Sequence, residues 1–143
     1  VNCMDGRGQT SVMVFAKARF GVDYVDMVTE AGAVANINEG VRRHVEISVQ
    51  AHSSKGIVVA AHADCAGNPI SDDEQKEQCR EAARILKSDW PEMEVISIWE
   101  PLDGHLEILE YRTQALQACQ PVMASTVKRL FHLDLLEVVA TRT

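Results

Sequence analysis

Apolar residues along the chain fall into short runs divided by charged stretches, and the spacing within the runs changes along its length. The run Gly56-Ile57-Val58-Val59-Ala60-Ala61 is near-continuously apolar. A strand covered on both faces, as in a parallel sheet, reads this way, whereas a strand with one wet face alternates. Val1 to Cys3 reads as the stub of a first strand. Asp23 to Val28 reads as a second, ending at the small-residue turn Ala31-Gly32-Ala33. Glu94 to Trp99 predicts a further strand. After the turn signal Asp103-Gly104, the alternation from His105 to Leu109 predicts an antiparallel return.

Helical patterns lie between these runs. Gly6 to Gln9 is expected as a polar loop and Ser11 to Phe20 as a short helix. Asn38 to Ser53 sets Val41, Val45, Ile47 and Val49 among charges, which predicts a helix running to Lys55-Gly56. Ser71 and Glu74 form an S-x-x-E capping box that opens a helix through about Lys87, with Pro91 just past its end. The tail from Thr113 to Leu136 is expected to be helical, broken near Pro121. The order predicts an α/β fold. Its open, mostly parallel sheet would have about four parallel strands plus an antiparallel edge strand, flanked by helices. No repeat, low-complexity stretch or linker interrupts it. Residues 1–143 therefore read as a single domain, with a C-terminal helical segment over about 112–143.

Composition narrows the function classes. The chain has 143 residues and a formal net charge of −7, and its pI is about 5.2. Such an acidic surface argues against nucleic acid or an anionic membrane as partner, because both need basic patches. No apolar run approaches the ~20 residues needed to cross a bilayer, and no signal-peptide pattern is present. A cytoplasmic protein is expected. The four cysteines, Cys3, Cys65, Cys79 and Cys119, could form two disulfides. A core of ordinary size does not need that scaffold, so a reduced state with a metal or catalytic role is the better expectation.

Two short segments carry candidate chemistry, Cys3-Met4-Asp5-Gly6-Arg7 and His62-Ala63-Asp64-Cys65-Ala66-Gly67. Each sits where an apolar strand runs into a glycine-containing loop. In open α/β sheets, ligands bind beyond the carboxyl ends of the strands, where the strand order reverses. Cys3, His62 and Cys65 supply the sulfur and nitrogen donors that zinc takes in tetrahedral sites, and a catalytic site uses three protein ligands. Cys3 and Asp5 lie two apart, so an extended chain would turn both to one side and let Asp5 reach a fourth position. Taken singly, either motif is an ordinary strand-end loop, and a buried cysteine is usually a small hydrophobe. Their joint placement is what favours a metal site. A cysteine phosphatase would need Cys and Arg six apart around a phosphate loop, and position 9 is Gln9. A Cys3–Cys65 disulfide remains an alternative for metal-free protein.

In these residues the chain resembles the β-class carbonic anhydrases. Their first motif reads Cys-x-Asp-x-Arg and their second His-x-x-Cys, in the order of Cys3, Asp5, Arg7, His62 and Cys65. Glu30-Ala31-Gly32-Ala33 stands where that family has Asn-Ala-Gly-Gly. The hairpin from Trp99 to Leu109 is similar to the family's final strand pair. The resemblance covers roughly residues 1–110. It implies zinc as cofactor and reversible hydration of CO2 to bicarbonate by a zinc-activated water. Asp5 and Arg7 would be the catalytic pair, with Arg7 holding the carboxylate and Asp5 alternatively turning onto the metal. It also implies a homodimer or higher homo-oligomer. Relatives on this scaffold act on CS2 or COS, and a non-catalytic structural zinc module would keep the same ligands.

Other polar residues are read more plainly. His44, His52, His105 and His132 could shuttle protons, but each fits an ordinary surface position. Asp64 is either a hydrogen-bond acceptor near the ligands or a solvated turn residue. Cys79 and Cys119 are expected to pack, and Trp90 and Trp99 to lie in a core or an interface. The apolar run Lys128 to Leu136 needs a surface to cover.

Overall fold

The computed structural model describes residues 1–113. The elements in chain order are β1 (Asn2–Cys3), α1 (Gly6–Phe20), β2 (Thr29–Glu30), a 3-10 turn (Ala33–Ala35), α2 (Glu39–Ala51), β3 (Gly56–His62), α3 (Asp72–Asp89), β4 (Glu94–Glu100) and β5 (Glu107–Arg112). They build one sheet in the order β2-β1-β3-β4-β5. The first four strands run parallel and β5 returns antiparallel to β4. This is the α/β architecture the sequence pattern predicts. The expected tail helix, Cys119, His132 and the Lys128–Leu136 run lie outside the described residues.

The apolar run of β3 explains the layering. Ile57, Val59 and Ala61 face one side, where they meet Val41 and Val45 of α2 and Cys79, Ala82, Ala83 and Leu86 of α3. Val58 and Ala60 face the other side, against Val12 and Ala16 of α1 and beside Ile96 and Ile98 of β4. Both faces are covered, so continuous hydrophobicity is what the strand requires. Fully burying side chains such as Leu86, Ile96 and Ile98 contributes roughly 1.5–3 kcal/mol each.

The helices start where their caps place them. Asn38 Oδ1 accepts from the Val41 N–H at 3.0 Å and opens α2. Ser71 and Glu74 close the reciprocal capping box of α3, with Asp72, Asp73 and Glu74 in its first turn and Lys87 in its last, matching the helix dipole. Lys87, although buried, donates to the carbonyls of Pro91 at 2.7 Å and Met93 at 2.6 Å, which satisfies its ammonium. Gly21, in the left-handed region, terminates α1.

Two local expectations are corrected. Gly6 to Gln9 is not a loop but the first turn of α1, because Asp5 caps it by accepting from the Arg7 N–H at 2.9 Å. Polarity along those residues hid a helix start that a side-chain cap creates. Asp23 to Val28 is not a strand. The second strand is the pair Thr29–Glu30, in register with Asn2 and Cys3. Strand pairing exists only where a neighbour offers backbone groups, and β1 offers just those two residues. The apolar side chains of Val25 and Met27 instead pack on the α1 side of the sheet.

Candidate metal centre

Strand order reverses at β1, because β2 lies on one side of it and β3 on the other. Cys3 ends β1 and His62 ends the neighbouring β3, so both side chains emerge at the same edge. Cys65 lies in the loop that follows. The donor atoms of Cys3, His62 and Cys65 all fall within 4.8 Å of one another, and all three residues are buried. Cys3 Sγ and Cys65 Sγ stand 3.7 Å apart, and both thiols are free.

The donor set fits a soft metal ion. His62 Nδ1 lies 2.7 Å from the Ala63 carbonyl, which assigns the ring proton to Nδ1 and leaves a lone pair on Nε2. Nε2 is buried and has no hydrogen-bond partner of good geometry. A buried polar atom without a partner calls for an explanation, and an ion shared with the two sulfurs supplies one.

Burial alone pushes the Cys3 thiol up, but the donors around its sulfur, the N–H groups of Gly32 and Asp5 among them, outweigh it and bring it down to about 7. Cys65 is displaced upward, first by burial and then by Cys3 beside it. Two sulfurs this close resist carrying charge together unless a cation lies between them. Cys3 is therefore the first to ionise.

Gly32 holds the floor of this cluster. Its N–H donates to Cys3 Sγ at 3.5 Å, and its φ of +62° lies in the left-handed region. A Cβ there would meet the Gly67 carbonyl oxygen at 2.5 Å. The turn after β2 and the loop after β3 thus touch backbone to backbone, which fixes Cys65 relative to Cys3.

Asp5 and Arg7 flank the cluster. Arg7 Nε lies 3.1 Å from Asp5 Oδ1 and 3.0 Å from Oδ2, and Nη2 lies 2.6 Å from Oδ2. Hydrogen bonds from Arg7 hold the Asp5 carboxyl well below the usual carboxylate range. The extended path that would set Asp5 beside Cys3 ends at Cys3. Met4 bends away, and both Asp5 oxygens face Arg7. Arg7 also donates to Asp64 Oδ2 at 3.1 Å and to the Asp64 carbonyl at 3.2 Å. Asp64 is thus a partner of Arg7, and its φ of 52° is left-handed.

Sequence reasoning missed two residues. Gln9, read as loop, donates to the carbonyls of Cys3 at 2.7 Å and Asp5 at 3.1 Å and ties β1 to α1. Glu100, at the end of β4, is 3% exposed and lines a small cavity with Cys3, Asp5 and His62. Position 100 closes an apolar strand, and a buried acidic residue there leaves no pattern to read. His52 pairs with Asp26 and His105 with Asp103, both on the surface. His44 is exposed on α2. Trp99 is a core residue, with the Lys76 ammonium 5.3 Å from its ring centre.

The family described as "Putative carbonic anhydrase" matches residues 1–110. The chain belongs to this family. No curated protein matches it. The match covers every described strand except the last residues of β5. In this carbonic anhydrase family member, Cys3, His62 and Cys65 form a cluster that could hold a metal ion. Among the described residues, no helix is long and apolar enough to cross a membrane.

Proposed function

We propose that this protein catalyses the reversible hydration of CO2 to bicarbonate at a zinc ion held by Cys3, His62 and Cys65. The observation that carries this reading is the convergence of those three donors within 4.8 Å in a member of the carbonic anhydrase family. Zinc, when bound, supplies an activated water and a Lewis acid. The chain supplies the rest. The Ala63 carbonyl orients His62 by holding its Nδ1 proton, and Cys3, lowered to about 7, is ready to donate as a thiolate. The Asp5 carboxylate, kept ionised by Arg7, is an acceptor only. It favours an occupant that still carries a proton over one that carries none. Arg7 fixes that carboxylate through a bidentate pair.

We place the protein in a reducing compartment such as the cytoplasm, where ligand thiols stay free, and as a single domain assembling into a homodimer or higher homo-oligomer, as the family resemblance implies. The test is stopped-flow CO2 hydration by zinc-loaded protein at about pH 8.5, with Cys65→Ser as control. Rapid hydration that the variant lacks supports the reading. One zinc per chain without hydration replaces it with a structural zinc module, or with a hydrolase if CS2 or COS is turned over. Protein that takes up no zinc removes it.

A further inference from the structure

Met4 separates Cys3 from Asp5, and its side chain is 65% exposed. Side-chain packing therefore does not hold the turn that joins Cys3 to the carboxylate beside the cluster. Hydrogen bonds hold it instead. The Met4 N–H donates to the Glu30 carbonyl at 3.1 Å, and the Asp5 carbonyl takes a longer contact from the Gly8 N–H at 3.4 Å. Neither of these spans the turn. Gln9 does: its Nε2 donates to the Cys3 carbonyl at 2.7 Å and to the Asp5 carbonyl at 3.1 Å. Among the described residues, no other side chain bonds both ends of the turn.

The chemistry at position 9 requires an amide. Two carbonyl oxygens need two donors, and the carboxamide nitrogen supplies both from one atom. The amide oxygen accepts from Asn2 Nδ2 at 3.1 Å, and Asn2 is buried, so the carboxamide is held in one orientation. The helix dipole favours acidic residues in a first turn, yet the first turn of α1 has none. A carboxylate at position 9 would turn acceptors towards two carbonyl oxygens. Strand β1 is only two residues long, so pairing with its neighbours gives Cys3 little hold of its own.

We propose that Gln9 is a positioning residue: by binding the carbonyls of Cys3 and Asp5 through one amide nitrogen, it fixes Cys3 Sγ and the Asp5 carboxylate relative to His62 and Cys65. It acts through the main chain and touches neither the sulfur nor the carboxylate. This rests on Cys3, His62 and Cys65 being metal ligands, as in the proposed function, but not on CO2 being the substrate. Groups that orient a metal ligand without touching the metal change affinity by roughly 10–100-fold when removed.

The test is Co2+ binding by wild type and Gln9→Met, followed by visible absorption and by competition with a chelator. Methionine keeps the length of the side chain and removes both donors. Ala16→Gly, at a buried position further along α1, is the control for lost stability alone. The expected result is Co2+ bound roughly tenfold more weakly by Gln9→Met, with a shifted spectrum, while Ala16→Gly melts earlier yet binds Co2+ as wild type does. Wild-type affinity and spectrum in Gln9→Met overturn the proposal. An equal loss of affinity in Ala16→Gly also overturns it, because the effect would then follow from stability. If Gln9→Met does not fold, Gln9→Asn takes its place, since it keeps the amide but is too short to span both carbonyls. It must weaken Co2+ binding in the same sense, and an unchanged affinity overturns the proposal. Wild type that takes up no Co2+ removes the metal reading and this inference with it. Weaker Co2+ binding by the variant, in a protein whose zinc form hydrates no CO2, leaves the inference standing and removes only the proposed reaction.

Discussion

Arg7 and Asp64, fifty-seven positions apart in sequence, are joined by an Nη1–Oδ2 contact of 3.1 Å. This contact ties the loop after β3 to the first turn of α1 and gives the Asp5–Arg7 pair an anchor outside its own segment. The pair is exposed, with side-chain exposures of 52% and 83%, and solvent screening leaves exposed pairs little to contribute to stability. Asp64→Ala is expected to lower CO2 hydration by up to about fivefold and to leave zinc content unchanged. Stopped-flow rates with metal analysis check this, and a loss of zinc would show that Asp64 holds the ligand loop rather than Arg7.

Arg7→Ala removes the group that fixes Asp5. The expected outcome is a fall of about a hundredfold in kcat with one zinc per chain retained, because Arg7 is not a donor to the cluster. An equal loss of rate and zinc would assign Arg7 to the metal framework instead.

The same pair predicts a titration. Asp5 is depressed below the ordinary carboxylate range by its hydrogen bonds from Arg7. A depressed carboxyl contributes its stabilisation above the unfolded pKa and loses it as pH falls through the folded value. The pair therefore survives below the range in which free carboxylates protonate. Carbon NMR of the Asp5 carboxyl is expected to stay flat down through about pH 4 in wild type and to titrate near ~3.9 in Arg7→Ala. A normal titration in wild type would mean that the pair does not persist in solution.

Removing the metal exposes a hierarchy among the thiols. Cys3 is brought to about 7, Cys65 is raised, and burial pushes Cys79 up to about 12. Thiolate, not thiol, is the nucleophile. Among the cysteines of the described residues, chelated protein treated with iodoacetamide at about pH 7.5 should be alkylated at Cys3 before Cys65, with Cys79 unmodified until the fold opens. Peptide mass spectrometry gives the order, and early modification of Cys79 would contradict it.

Gly32→Ala strains a left-handed backbone and drives a methyl into the Gly67 carbonyl. A cost of about 1–3 kcal/mol is expected, together with weaker zinc binding as the Gly32–Cys3 contact shifts. Thermal melting with and without chelator separates the two effects. A variant that melts like wild type in both would show that the two loops part without cost.

Much of this was legible in local pattern. The unbroken apolar run of β3 required cover on both faces, and α1 on one side with α2 and α3 on the other provide it. The Ser71–Glu74 box marked the start of α3 to the residue, because a capping box is read from four neighbouring positions. Where a helix start depended on a single side chain, as at Asp5, polarity misled. Where a strand depended on its neighbour, as over Asp23 to Val28, propensity misled.

The sequence by itself determined the strand and helix order, and from the Cys3, His62 and Cys65 spacing it nominated the donors. Those signals are local, carried by periodicity and by motifs a few residues long. Tertiary structure decided what the donors meet. It set β1 against β3 so that three residues from two distant segments converge, and it brought Asp64 to Arg7. It also buried Glu100 beside the cluster, where no pattern in its own strand announced it. Contacts between distant positions follow from how the sheet orders its strands, and only the folded chain sets that order.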